Sequence, residues 1–395
     1  MRYLLLPILL LLPIGVGAQP SPCMECHGAQ PRPQPKAAVV DTALLSGSVH
    51  ASVACTDCHA INSKTPHAGN RAVFCGKCHN AEAESFNKSP HVLGRQANIE
   101  KLPTCITCHG GHDVLAISNP NARTNHRNSV RLCITCHEDQ QLTEHVTNMP
   151  TAAAIKAYEN SVHGRALMVE GNLKAPACVD CHGSHNFLPS DQPESPVYKS
   201  HVAATCGNCH HKIAQTYAES VHATALAKGV LESPTCTSCH GEHNIVKHLE
   251  PDSRVYATNV SKTCSDCHAS DKVVGKFGLK ADRISTFKES FHGAASELGY
   301  ARVANCASCH GVHDIFPQQD SRSLINAANI QITCGKCHED LPADFAKGAV
   351  HTSATSSESG GKFYVRQFYI WFISIIIVGF VIYRVLEYKR RIKRV

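Results

Sequence analysis

Apolar and polar positions follow no sustained period along most of this chain. Two apolar segments stand out, one near each end: Leu4 to Leu12, and Gln367 to Tyr383, the latter without a charge. Between them, short helix-forming stretches alternate with connections rich in Gly, Pro, Asp and Asn. Cys206 to His222 is the clearest helical stretch, dominated by good helix formers such as Ala214, Gln215, Ala218 and Glu219. Leu188-Pro189-Ser190-Asp191-Gln192-Pro193 reads as loop. The pattern predicts a mainly α chain with much irregular structure and almost no β-sheet.

The terminal segments give an orientation. Arg2, the Leu-rich stretch broken by Pro7, and Val16-Gly17-Ala18 together read as a signal peptide over 1–18, cleaved after Ala18. The stretch is short for an anchor, and Pro13 interrupts it again. At the other end, Gln367 to Tyr383 is close to the minimum length of a membrane span. Arg366 and Arg384 flank it, and Tyr364, Phe368, Tyr369, Trp371 and Tyr383 supply interfacial aromatics. A transmembrane helix is expected over 364–386. The tail that follows, 387–395, carries Lys389, Arg390, Arg391, Lys393 and Arg394 against Glu387. Positive charge stays on the cytoplasmic side, so the tail is read as cytoplasmic and the body as periplasmic or cell-exterior.

The formal net charge of +6 belongs to those ends. Residues 19–361 hold 29 Lys and Arg against 31 Asp and Glu. A body near neutrality has no basic face for phosphates, which argues against a nucleic-acid partner.

All 22 cysteines lie in eleven Cys-x-x-Cys-His units. They are Cys23 and Cys26, Cys55 and Cys58, Cys75 and Cys78, Cys105 and Cys108, Cys133 and Cys136, and Cys178 and Cys181. Cys206 and Cys209, Cys236 and Cys239, Cys264 and Cys267, Cys306 and Cys309, and Cys334 and Cys337 complete the set. The motif is the attachment signature of c-type haem. Two thiols one helical turn apart reach the two vinyl groups of one porphyrin, and the next His faces the iron. The proximal ligands expected are His27, His59, His79, His109, His137, His182, His210, His240, His268, His310 and His338. A zinc ribbon pairs Cys-x-x-Cys units and needs no His after each; a redox dithiol needs one motif on an α/β scaffold. Eleven units that leave no cysteine over favour haem.

Sixteen further histidines remain, and eleven of them are expected as distal ligands. Ser-x-His recurs at His50, His91, His163, His222 and His292, with Ala349-Val350-His351 as a variant. Cys-x-x-Cys-His-Gly-x-His places His112, His185, His243 and His313 seven residues after the first Cys of their motifs. These recurrences define a repeat of two motifs. Within it the step between first cysteines is 28 residues four times, starting at Cys105, Cys178, Cys236 and Cys306. The earliest repeat has a step of 20, and its matching histidine, His67, has a shifted offset. His126, His145, His201, His211 and His248 are expected non-ligands, with His126 the substitute if His67 does not ligate. Methionine cannot supply eleven sixth ligands, because only Met24, Met149 and Met168 follow the signal. Paired imidazoles give lower potentials than a Met/His pair.

The organisation expected is a first haem segment at 19–36, then two-haem units at about 48–88, 89–160, 161–219, 220–289 and 290–351, within an extracytoplasmic domain at 19–351. Ala29-Gln30-Pro31-Arg32-Pro33-Gln34-Pro35-Lys36 reads as a stiff link behind the first motif. Residues 352–361 read as a flexible tether. Eleven haems would supply the apolar area that a chain with 6% aromatics lacks.

From Cys23 to His351 the alternation of Ser-x-His, Cys-x-x-Cys-His-Gly-x-His and Cys-x-x-Cys-His resembles the membrane-anchored multihaem c-type cytochromes of respiratory chains. It is similar to the periplasmic decahaem and pentahaem carriers and to octahaem cytochromes. The resemblance implies an electron-transfer relay with no catalytic residue of its own. Its implied partners are a membrane quinone-reactive subunit, such as a b-type cytochrome, and soluble or outer-membrane cytochromes, in anaerobic-type respiration. The C-terminal anchor departs from the quinol-oxidising tetrahaem family, whose anchor is N-terminal. The alternative implied is a multihaem oxidoreductase of nitrite, hydroxylamine or tetrathionate type, with one open iron.

Overall fold

The structure is a computed structural model that describes residues 22–28, 38–60, 73–93, 102–143, 152–342, 345 and 350–392. Short helices and irregular connections make up almost all of it, and the one β-bridge among the described residues joins His59 and Val73. The mainly helical, nearly sheet-free reading of the sequence holds. The signal peptide, the Pro-rich link, His67 and His145 lie outside the described residues.

The chain divides into two compact units. One comprises Met1–Ile155 with Ala166–Ser195, the other Lys156–Arg165 with Pro196–Val395. Within each, large apolar residues do little of the enclosing. Among the described residues the buried apolar side chains are Ala122, Val130, Leu167, Ala175, Ala177, Val202, Leu226 and Val274, and only Val130 and Leu167 are both large and fully enclosed. Core burial on this scale stabilises little.

Polar clamps hold the connections instead. Asn259 Nδ2 donates to the carbonyls of Pro251 and Ser253, both at 2.8 Å, and Asn329 Nδ2 does the same to Ser321 and Ser323. Asn128 clamps Pro120 and Ala122 in the first unit. His201 stands at this position in its own repeat. The threonine before a second motif adds another tie, with Thr205, Thr263 and Thr333 donating to Pro196, Arg254 and Leu324. A buried hydroxyl or amide that keeps its partner this way avoids its desolvation cost.

Cys206 to His222, read from sequence as one helical stretch, is broken into three helices, Val202–Gly207, His211–Ala218 and Val221–Ala227. Ser220 causes the last break. Its extended backbone and its Oγ, which accepts from Ala223 N at 3.1 Å, start a new helix whose second residue is His222. The C-terminal helix runs Gly361–Ile392 and is the one described helix long and apolar enough to cross a membrane. At about 1.5 Å per residue it extends beyond the apolar stretch at both ends. Residues 352–360 ahead of it are folded rather than extended. Ser353 Oγ donates to Glu289 Oε2 at 2.9 Å, Ser359 Oγ to the Ser353 carbonyl, and Lys362 Nζ to Thr352 Oγ1 at 2.8 Å.

Candidate functional site

Two local structures carry six of the eleven motifs. The first motif of a repeat is a helical turn of its own, as in Cys105–His109, Cys178–His182, Cys236–His240 and Cys306–His310. The third residue of each motif caps it by accepting from the backbone N–H ahead of the first Cys: Thr107 from Thr104, Asp180 from Ala177, Ser238 from Thr235 and Ser308 from Asn305. The second motif instead ends a longer helix in two repeats, His126–His137 and Val260–His268.

The glycine after a first motif has a steric reason. Gly241 sits at φ 87°, ψ 173°, and Gly311 at φ 89°, ψ 175°, a region open essentially to glycine alone. A Cβ on Gly241 would lie 2.3 Å from Asn244 Oδ1. This reversal swings the following histidine away from its own motif. Ser-x-His has a different device. Ser161, Ser220 and Ser290 are helix N-caps that accept from Gly164, Ala223 and Gly293, so the histidine leaves the first turn at a fixed angle.

These placements bring nine motif histidines against nine predicted distal ones. Ser-x-His meets the second motif of its own repeat: His50 with His79 at 6.1 Å between ring centres, His91 with His137 at 6.2 Å, and His163 with His210 at 6.2 Å. His222 with His268 at 6.3 Å and His292 with His338 at 6.0 Å follow the same rule. The Gly-x-His histidine serves the first motif of the repeat before it: His59 with His112 at 6.0 Å, His109 with His185 at 6.0 Å, and His240 with His313 at 6.1 Å. His351 takes that place for His310 at 6.3 Å. Of the other four predicted ligands, His182 belongs to the first unit and His243 to the second. His27 has its Nδ1 2.7 Å from the Ala38 carbonyl, which leaves Nε2 for another partner.

The geometry is unlike ordinary ring packing. Separations stay within 6.0–6.3 Å while the angle between ring planes runs from 16° to 77°. Direct contact couples distance to angle, because stacked and edge-on rings touch at different separations. A fixed distance with a free rotation is what a metal between two imidazoles imposes. A metal about 2.0 Å from each nitrogen holds the ring centres roughly 6 Å apart. Charge agrees with this. Burial and then the neighbouring His137 lower the His91 imidazole to about 4, and burial and then His268 lower His222 to about 4. Both rings are therefore neutral at pH 7, with a lone pair to give a metal. His163, His240, His310 and His313 are lowered as well, again chiefly by burial.

No disulfide joins any two of the cysteines. No group of three or more His, Cys, Asp or Glu side chains at metal-binding distance occurs among the described residues, so the motifs are not gathered into tetrahedral sulfur–nitrogen centres there. They meet in another way. The first Cys of a second motif hydrogen-bonds the first Cys of the next motif along the chain: Cys75 with Cys105, Cys133 with Cys178, Cys206 with Cys236 and Cys264 with Cys306. The predicted non-ligands are engaged elsewhere where their contacts are described. His126 Nε2 lies 2.8 Å from Asp180 Oδ2, and His211 Nδ1 lies 2.8 Å from the Gly207 carbonyl.

Sequence reasoning missed the capping role of the third motif residue, the threonine and asparagine clamps, and the pairing across repeats. Thr205, Thr263 and Thr333, each directly before a second motif, were the available signal. No family model, curated protein or solved structure matches the chain.

Proposed function

We propose that this chain is an eleven-haem c-type cytochrome that relays electrons at a membrane, between a quinone-reactive membrane partner and periplasmic or extracellular carriers. The observation that carries the reading is the set of nine histidine pairs at a common separation, each with one member from a Cys-x-x-Cys-His motif. Each haem, when bound, supplies an iron that takes up and releases one electron. The motif cysteines would hold it covalently, and the histidine pairs would close both axial positions of the iron. At the nine irons so paired, closed positions would leave no site for a substrate, which favours relay over catalysis. The buried imidazoles of His91 and His222, lowered to about 4, carry no extra proton that ligation must first displace at pH 7.

The cysteine contacts support a relay as well. They bring attachment points of successive motifs together in four places, and electron tunnelling falls steeply with edge distance. The His-to-His rule supports order along the chain, because in three places a repeat lends a histidine to the repeat before it. The helix Gly361–Ile392 is consistent with single-pass anchoring. The signal-like start and the basic end favour a body outside the cytoplasm. Potentiometric titration of the purified full-length chain, followed in the haem Soret band, tests the relay. Eleven electrons taken up per chain at low potentials are expected. A chain that takes up none contradicts the reading.

A further inference from the structure

The last repeat has no repeat after it, and its first motif takes a histidine from elsewhere. His59, His109 and His240 each meet a Gly-x-His histidine of a later repeat, whereas His310 meets His351. His351 has neither of the devices that place the others. Ala349 stands where the capping serine belongs, and no Cys-x-x-Cys-His-Gly runs into it. Another support has to fix its ring.

The helix Arg283–Lys288 supplies it. Arg283 Nη1 donates to the His351 carbonyl at 3.5 Å, and Thr286 Oγ1 lies 3.1 Å from His351 Nδ1. Glu289, directly after the helix, accepts from Ser353 at 2.9 Å. Residues three apart share a helix face, so one face grips the segment at three points. Thr286 is 1% exposed, and its hydroxyl has one hydrogen to give. The intrahelical contacts, to the Asp282 carbonyl at 2.6 Å and the Arg283 carbonyl at 3.1 Å, take that hydrogen. The oxygen then accepts from His351 Nδ1–H, and the neutral ring keeps its lone pair on Nε2. The repeat does not provide this bond by rule. Thr216, in the same place ahead of Ser220, is exposed and donates to the Lys212 carbonyl at 2.9 Å, and Ala157 holds that place ahead of Ser161. His91 Nδ1 is buried with no partner among the described residues.

We infer that Thr286 is a positioning residue for the iron of the Cys306–His310 motif: its hydroxyl fixes the tautomer and the angle of His351 and keeps Nε2 free to ligate. The inference rests on the haem reading above. A ligating histidine whose other nitrogen donates a hydrogen bond is held in orientation and gives more charge to the metal. More charge favours the ferric state, so this bond lowers the potential of one haem among the eleven. Loss of the hydroxyl leaves His351 Nδ1–H without its acceptor and raises that potential.

Potentiometric titration of the full-length, haem-loaded chain in the Soret band tests it, with haem per chain counted on the same samples. Thr286→Val keeps the shape of the side chain and removes the hydroxyl. One part in eleven of the absorbance change should move to higher potential by a tenfold change in its reduction equilibrium, about 59 mV for one electron, with the rest in place. Thr286→Ser keeps the hydroxyl and should titrate like the wild type, as should the control, Thr216→Val. A Thr286→Val chain with eleven haems that titrates like the wild type overturns the positioning role, and so does a shift spread over all the haems. A Thr286→Ser chain displaced from the wild type overturns it as well, even where Thr286→Val fails to fold. These outcomes leave the relay standing, whereas a wild-type chain without haem overturns the relay and this inference together.

Discussion

Gly311→Ala puts the whole histidine-placing device under load. Gly311 sits at φ 89°, ψ 175°, where a non-glycine residue costs about 1–3 kcal/mol in backbone strain. The added methyl also lies 3.0 Å from Asp314 Oδ1, so that side chain must give way. Asp314 follows His313, whose ring pairs with His240. For a unit of this size each kcal/mol lowers the melting midpoint by about 2–4 °C, so a drop of roughly 2–12 °C is expected. Calorimetry of the full-length protein reads it, with Gly275→Ala as comparator. Gly275 lies inside the helix Asp271–Phe277 with open space around its Cβ position, and alanine there should stabilise by about 0.5–1 kcal/mol. If Gly311→Ala melts no lower than Gly275→Ala, the strained glycine is not what holds the Gly-x-His segment in place.

The remaining predictions probe separate links. His313→Ala should turn one iron in eleven high-spin by EPR, while His248→Ala should leave the spectrum unchanged; two equal spectra would contradict the pairing of His240 with His313. Asn259→Ala removes two clamps on the loop that ends at Ser253, and chemical denaturation should show a loss of about 1–3 kcal/mol. A loss under about 0.5 kcal/mol would mean that water replaces the clamp. Hydrogen bonds from Arg322 hold the Asp320 carboxyl below the usual carboxylate range. The unfolded state then binds its proton at higher pH than the fold does. The stabilisation is thus present above the unfolded value, near pH 4, and disappears as pH falls through the lowered folded value. Melting curves of the wild type and Asp320→Asn should converge below pH 4; a constant gap down to pH 2 would refute the assignment.

Much of this architecture was legible before any coordinates. Covalent spacing is local, so the Cys-x-x-Cys-His units and their helical turns could be read directly. The histidines that meet motif histidines could be picked out because Ser-x-His and Gly-x-His are local devices too, an N-cap and a glycine-only reversal. Their partners could not be. The pairing of His240 with His313 joins residues in different repeats, and nothing in the spacing tells own-repeat from next-repeat pairing. The single helix expected over Cys206 to His222 failed for a related reason, since helix propensity sums smoothly through a serine that caps. The Asn and Thr clamps stayed hidden because one amide serving two distant carbonyls leaves no periodic trace.

Electron paramagnetic resonance of the fully oxidised full-length protein, with haem counted on the same sample, tests the central claim most directly. The account predicts eleven haems per chain and low-spin ferric signals alone, one for each imidazole pair. No bound haem would refute the cytochrome reading, and a high-spin signal near one iron per chain would replace a sealed relay with a chain that keeps one site open to substrate.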